Sequence, residues 1–130
     1  MSKAEVERVV GGYWDALKAG GVENALAFYG DDLIFHYYGH NPIAGDHVGK
    51  SACLAVLKRI GERTNRRILE VVQQVYTDDR ATVIARESFE RGGQVAVLDR
   101  TFIYRVKDGK IVEGWILDQD QQTVDRFLAD

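Results

Sequence analysis

The chain has 130 residues, of which 45% are hydrophobic and 28% are charged, and its formal net charge is −3. This length predicts a single domain over residues 1–130 with enough core to fold without a metal, and the single cysteine excludes an internal disulfide. The mild acidity argues against a nucleic-acid surface, and the lack of a long apolar run or an apolar leader argues against a membrane span and favours the cytoplasm.

The predicted elements place helices first and strands last. Apolar side chains recur every three or four residues in the helical segments and alternate in the strands, with glycine-rich turns between them. This order predicts an α+β fold with the helices gathered on one face of a curved sheet. The predicted helices cover about residues 3–18, 22–29 and 50–63, the predicted strands cover 33–39, 68–76, 81–91, 94–106 and 111–118, and a short helix follows Asp120.

The last predicted strand ends in a carboxylate that is the main candidate for catalysis. Alternation puts one set of side chains on one face, namely Val112, Gly114, Ile116 and Asp118. If this face lines a cavity, Asp118 lies in apolar surroundings, which favour a protonated carboxyl group and suit a general acid or base. Replacing it with Asn is then expected to change stability by about 1 kcal/mol or less. The alternative is a structural carboxylate at the strand end, and Asp120 is expected to cap the terminal helix.

Two stretches of sequence resemble a known superfamily. FHYYGHNPIAGDHVGK, residues 35–50, is similar to the FHxPGxxPLAGDYxG segment of SnoaL-like proteins, and DGKIVEGW is followed by DQxxxDxFL. The chain thus resembles the SnoaL-like polyketide cyclases and the ketosteroid isomerases of the nuclear transport factor two superfamily. The resemblance implies a cone-shaped curved antiparallel sheet with three N-terminal helices on its concave side, a cystatin-like α+β barrel. It also implies an apolar pocket and a homodimer that pairs through the outer sheet face.

The resemblance further implies an enzyme that acts on a small hydrophobic carbonyl compound by acid/base catalysis, without a cofactor or a metal. Asp118 would move the proton, and Tyr37 and Tyr13 would stabilise the oxyanion. His36 is a further candidate, although it points to the face opposite Tyr37 and suits a dimer contact equally well. The residues expected to bind the substrate are Trp14, Tyr29, Phe35, Arg86, Phe102, Tyr104 and Ile116.

Departures from the family pattern keep other functions open. The base of the isomerases falls near Tyr37, and their protonated Asp, like the His of the cyclases, falls near Phe102. These differences favour an alternative in which the domain binds a ligand or serves as a dimeric scaffold without catalysis. A second alternative is a hydrolase of the epoxide-hydrolase kind, for which Arg86 and Asp118 are two members of a three-residue site whose third member the sequence does not identify.

Overall fold

The computed structural model describes residues 1–130 and contains one six-stranded curved sheet. The strands are β1 (Tyr29–Tyr37), β2 (Gly45–Val48), β3 (Arg67–Tyr76), β4 (Arg80–Arg91), β5 (Gln94–Lys107) and β6 (Lys110–Asp118). They lie in the order β2-β1-β6-β5-β4-β3. All neighbours are antiparallel except β1 and β6, which are parallel. The predicted α+β cone is confirmed. The prediction of a wholly antiparallel sheet is wrong at the β1–β6 pair, because after the three hairpins that join β3 to β6, strand β6 runs in the same direction as β1.

Four helical segments accompany the sheet: α1 (Lys3–Lys18), a 3-10 helix (Val22–Phe28), α2 (Lys50–Thr64) and α3 (Gln121–Leu128). Ser2 caps α1 by accepting a hydrogen bond from the Glu5 amide, and Asp120 caps α3 by accepting one from the Thr123 amide. The predicted second helix ends one residue early, because Tyr29 already pairs with Ile111 as the first residue of β1. None of the helices reaches the length and apolarity that crossing a bilayer requires.

Helices α1 and α2 cover the inner face of the sheet, and alternate strand residues fill the space beneath them. On α1 the buried residues recur at helical spacing, and they are Val6, Val9, Val10, Tyr13, Trp14 and Leu17. On β4 every second residue is buried, and this set contains one carboxylate among apolar side chains: Ala81, Val83, Ala85, Glu87 and Phe89. A charged residue therefore lies inside the core.

Strand β6 follows the predicted alternation over its second half only. Gly114 and Ile116 are buried on the inner face, as predicted, but Ile111 is buried as well. The register between β5 and β6 shifts next to this residue, and a β-bulge of this kind inverts the alternation. At Gly114 a β-carbon would lie 2.8 Å from a ring atom of Phe35, so the strand needs glycine for the aromatic rings to pack.

Candidate functional site

A small cavity lies inside the cone, where the helices meet the concave face of the sheet. Its lining is mostly aromatic and consists of Tyr13, Trp14, Leu17, Phe35, Tyr37, Leu57, Arg66, Phe102, Tyr104 and Ile116. The cavity volume is about 10 Å³, which is the space of about one water molecule. The aromatic rings therefore nearly fill the hollow that the resemblance predicts, and we name what remains the inner cavity.

The tyrosines of the inner cavity are held as neutral hydroxyls. The hydroxyl oxygens of Tyr13 and Tyr29 lie 2.8 Å apart in a buried hydrogen bond. Burial raises the pKa of Tyr13 to about 12, although the hydrogen bond to Tyr29 partly opposes this shift. Burial also raises the pKa values of Tyr37 and Tyr104. These phenols therefore keep their protons near neutral pH. One hydroxyl of the Tyr13–Tyr29 pair donates to the other, and the hydroxyls of Tyr37 and Tyr104 are able to donate hydrogen bonds to a ligand.

The indole of Trp14 presents a donor that the protein does not satisfy. The residue is 1% exposed, and its ring lies against Phe102 with 4.8 Å between centroids. Its Nε1–H has no hydrogen-bond partner. An indole nitrogen only donates, and leaving such a donor buried and unpaired costs about 1–3 kcal/mol. An acceptor supplied by a bound molecule would remove this cost.

Four buried charged side chains form a connected set on the inner face, three on strands and one in the loop before β3, and we name them the ion-pair ladder. They are Arg66, Glu87, Arg100 and Asp118, and they are 8%, 0%, 1% and 4% exposed. Arg66 donates to Glu87 through Nε at 2.7 Å and Nη2 at 2.5 Å. Arg100 donates to Glu87 through Nη1 at 3.1 Å, and to Asp118 through Nε at 2.6 Å and Nη2 at 3.3 Å.

The ladder is electrically balanced. Burial by itself would raise the pKa of Glu87, but the guanidinium groups of Arg66 and Arg100 outweigh it and hold that pKa below its usual range. Burial likewise opposes the charge of Arg100, and the carboxylates of Asp118 and Glu87 overcome this and raise the pKa of Arg100. Two cations therefore face two anions in the core. Removing any one of them leaves the buried cluster with an unbalanced charge.

Asp118 lies on the inner face, but its surroundings differ from the prediction. The predicted apolar surroundings are wrong, because Arg100 lies directly opposite on β5 and binds both carboxylate oxygens. Asp118 is also absent from the lining of the inner cavity. The structure therefore joins Asp118 to three residues that the sequence reasoning missed: Arg66, Glu87 and Arg100.

The other predicted residues fall into two groups. Trp14, Phe35, Phe102, Tyr104 and Ile116 line the inner cavity together with Tyr13 and Tyr37, and Tyr29 is hydrogen-bonded to Tyr13.

Arg86 and His36 lie instead on the outer face of the sheet. Arg86 binds Asp99 through Nε at 3.0 Å, and His36 lies between Asp46 and Glu113, with 2.7 Å to each. Neither side chain lines the inner cavity, because alternation turns both away from it.

A larger cleft opens beside the inner cavity, and we name it the mouth cleft. It has a volume of about 380 Å³ and lies between α2, the end of α1 and the start of β3. Its lining consists of Leu17, Lys18, Gly20, Val22, Leu57, Gly61, Arg66, Arg67 and Ile68. Leu17, Leu57 and Arg66 also line the inner cavity. These three side chains therefore stand between the two spaces.

The helix-covered curved sheet with an aromatic interior defines the α+β cone of nuclear transport factor two-like proteins. The family model of the SnoaL-like domain matches residues 10–114. The chain therefore belongs to the SnoaL-like domain family. No curated protein sequence matches it.

Solved structures agree with this fold. Bal32a, from a soil-derived mobile gene cassette, has a TM-score of 0.89 and 24% identity, covering 97% of this chain and 98% of its own. A nuclear transport factor two-like protein from Burkholderia xenovorans has a TM-score of 0.83 and 23% identity, covering 98% of each chain. A proposed polyketide cyclase from Xanthomonas campestris has a TM-score of 0.78 and 18% identity, also covering 98% of each. At these identities the likeness establishes a shared fold.

Proposed function

We propose that the protein binds a small hydrophobic molecule that carries a carbonyl or similar acceptor oxygen, and that the molecule occupies the cone. The observation that carries this proposal is the unpaired, buried Nε1–H of Trp14 in an aromatic lining. The hydroxyls of Tyr37 and Tyr104 add neutral hydrogen-bond donors to the same lining. Arg66 is the one charged residue of the lining, and its guanidinium donates hydrogen bonds but accepts none. Such a lining suits an apolar ligand whose oxygen accepts hydrogen bonds.

Binding requires the cone to widen. The inner cavity holds about 10 Å³, whereas the neighbouring mouth cleft holds about 380 Å³. Leu17 and Leu57 line both spaces, so rotation of these two side chains would join them. Leu17 and Leu57 are only 8% and 5% exposed, so their rotation requires the side chains packed against them to move as well. The ligand would then displace side chains from the wall and accept a hydrogen bond from Trp14.

The test uses the two tryptophans of the chain as a matched pair of probes. Trp14 lines the inner cavity, whereas Trp115 stacks on His36 at the outer face. Titration with the neutral ketone 2-acetonaphthone is expected to shift the Trp14 indole N–H resonance in a ¹H–¹⁵N spectrum and to leave that of Trp115 in place. Trp14→Phe is expected to weaken binding severalfold, because it removes the donor and keeps an aromatic ring. An unmoved Trp14 signal at saturating ketone would refute the proposal.

A second candidate is acid/base catalysis at the carbonyl, as in a polyketide cyclase or a ketosteroid isomerase. The observation that favours it is the carboxylate of Asp118 on the inner face, fixed by two hydrogen bonds from Arg100. In this role Asp118 would move a proton, and Tyr37 and Tyr13 would stabilise the oxyanion. Because Asp118 does not line the inner cavity, the substrate would have to reach it through the widened cone.

Deuterium exchange distinguishes catalysis from binding. An acid/base catalyst is expected to exchange the methyl protons of 2-acetonaphthone with D₂O faster than buffer does, because enolisation labels that position. Asp118→Asn would abolish the acceleration, and Asp99→Asn, a carboxylate change on the outer face, would leave it intact. Exchange at the buffer rate in the unmodified protein would leave only the binding function.

The ladder also bears on the hydrolase alternative. Arg100 bridges two carboxylates, those of Glu87 and Asp118, which resembles the Arg and two Asp that the hydrolases hold around a water molecule but has a Glu in place of one Asp. Arg86 does not take part, since it is paired on the outer face. Limonene oxide is the direct probe. Formation of a diol that Glu87→Gln abolishes would support hydrolysis, and an unchanged epoxide would exclude it for that substrate.

We also propose that the protein forms a homodimer through the outer sheet face. Apolar side chains are exposed on its strands, among them Leu69, Val95, Val97 and Leu117. Exposed apolar side chains on neighbouring strands favour an interface. Sedimentation velocity is expected to report a dimer, and Leu117→Lys is expected to shift it toward the monomer. A monomer at 100 μM protein would contradict this proposal.

A further inference from the structure

We propose that the mouth cleft is a carboxylate-binding site, so that the ligand class is a hydrophobic carboxylic acid whose ring enters the cone and whose carboxylate remains in the cleft. The part of this inference that concerns the ring rests on the proposed function. The part that concerns the carboxylate stands on the cleft itself. The charges, the free donor and the apolar area of the cleft each support it.

The lining of the mouth cleft carries positive charge only. Lys18 and Arg67 contribute two cations that no buried carboxylate balances, Arg66 adds a guanidinium that is paired with Glu87, and no carboxylate belongs to the lining. The nearest partner of Lys18 is Asp15, at 3.7 Å on the exposed surface, which is a weak contact. Arg67 is exposed and makes no salt bridge. The cleft therefore favours an anion over a neutral molecule of the same shape.

Arg66 offers a donor that no protein group uses. Its Nε and Nη2 atoms are both committed to Glu87, which fixes the plane of the guanidinium. Its Nη1 atom donates to no acceptor of the chain, and the side chain lines both the mouth cleft and the inner cavity. The nearly buried ion pair thus holds one edge of a guanidinium rigidly at the junction. A preorganised donor of this kind binds a carboxylate with little loss of side-chain entropy.

The rest of the cleft suits the apolar part of the same molecule. Leu17, Val22, Leu57 and Ile68 supply its hydrophobic surface, and Leu17 and Leu57 form the wall toward the aromatic interior. Apolar surface beside a fixed cation matches an amphipathic anion. Inorganic phosphate and sulfate lack the apolar part and are expected to bind more weakly.

The test compares 2-naphthoate with 2-naphthamide, which has the same ring and no charge. The amide resonances of Gly20 and Gly61 report on the mouth cleft, and the Trp14 indole resonance reports on the cone. We expect 2-naphthoate to shift both sets and to bind at least about tenfold more tightly than 2-naphthamide at low salt, because charge-assisted hydrogen bonds are about twice as strong as neutral ones. We expect the difference to shrink at high salt.

Two variants test the residues. Arg66→Lys keeps a cation for Glu87 but removes the free donor, and it is expected to lower the preference for naphthoate to about threefold. The double variant Lys18→Gln with Arg67→Gln changes exposed residues only, so the fold is retained. We expect it to reduce the preference for naphthoate by a factor of about five, from about tenfold to about twofold. Arg8→Gln with Lys107→Gln removes the same charge far from the cleft and is expected to keep the preference.

The outcomes separate this inference from the proposed function. A shift of the Trp14 indole without a shift of Gly20 and Gly61 would support binding in the cone and overturn the carboxylate site. A shift of the two glycines by naphthoate, with the indole unmoved, would support the carboxylate site and contradict binding in the cone. Equal affinity for naphthoate and naphthamide would overturn the carboxylate site.

Discussion

Asp118→Asn is expected to destabilise the protein strongly, and not by the change of about 1 kcal/mol or less that the sequence alone implied. The carboxylate is 4% exposed and accepts two hydrogen bonds from Arg100, which is 1% exposed. Breaking a buried ion pair costs about 3–5 kcal/mol, and Asn retains one acceptor oxygen, so we expect a loss of about 3 kcal/mol. For a chain of this size that loss lowers Tm by roughly 10 °C. Urea unfolding followed by circular dichroism measures it, with an unchanged m-value to show that the folded state is intact.

The chain offers a matched control on the opposite face. Asp99 on β5 accepts two hydrogen bonds from Arg86 on β4, in the same side-on arrangement. This pair is far more exposed, at 27% for Asp99 and 42% for Arg86. We expect Asp99→Asn to cost no more than roughly a third of the loss at Asp118, because water replaces the lost contact. Equal losses at the two positions would refute the conclusion that burial makes the ladder sensitive.

Two further predictions concern the outer face and the core. Hydrogen bonds to Glu113 and Asp46 outweigh burial and raise the pKa of His36, so its contribution to stability is complete below about pH 6.5 and is lost as the pH rises through the folded-state pKa. Tm measured from pH 5.5 to 8.5 should therefore fall more steeply in the unmodified protein than in His36→Gln, and parallel curves would contradict this. Gly114→Ala is expected to cost about 2 kcal/mol, because the new methyl group meets an aromatic ring at 2.8 Å. Gly61→Ala, in a helix with open space around it, should instead stabilise by about 0.5–1 kcal/mol, and a loss there would show that the space is not free.

Most of the fold could be predicted from local patterns. The spacing of Val6, Val10 and Leu17 predicted α1, and the turns after Tyr76 and Arg91 predicted the hairpins of β3 to β5. These signals are local, since each depends on which residues lie within a few positions of one another. The parallel pairing of β1 with β6 has no local signal, because its partners are far apart in the sequence. The resemblance supplied the cone, which the local patterns by themselves did not define.

The ion-pair ladder could be predicted from the sequence only in part. Alternation already placed Arg86 and Glu87 on opposite faces, and Glu87 shares its face with Val83, Ala85 and Phe89. A carboxylate in an otherwise apolar series of this kind is a readable signal of a buried ion. Arg66 carried no such signal, because it follows the end of α2 and belongs to no periodic segment. Periodicity likewise gives no cavity volume, which depends on the rotamers of the aromatic rings.

The place of β6 in the sheet affects how the protein folds during synthesis. β6 lies between β1 and β5 in the sheet. It therefore joins the β1–β2 hairpin, which is synthesised first, to the strands β3 to β5, which are synthesised later. While the ribosome is still translating β3 to β5, the inner edge of β1 has no partner, and its apolar residues Leu33 and Phe35 have no completed sheet to pack in. An open edge of this kind is the site where nascent chains associate wrongly. This edge of β1 therefore stays without its native partner until β6, which ends at residue 118, has been synthesised.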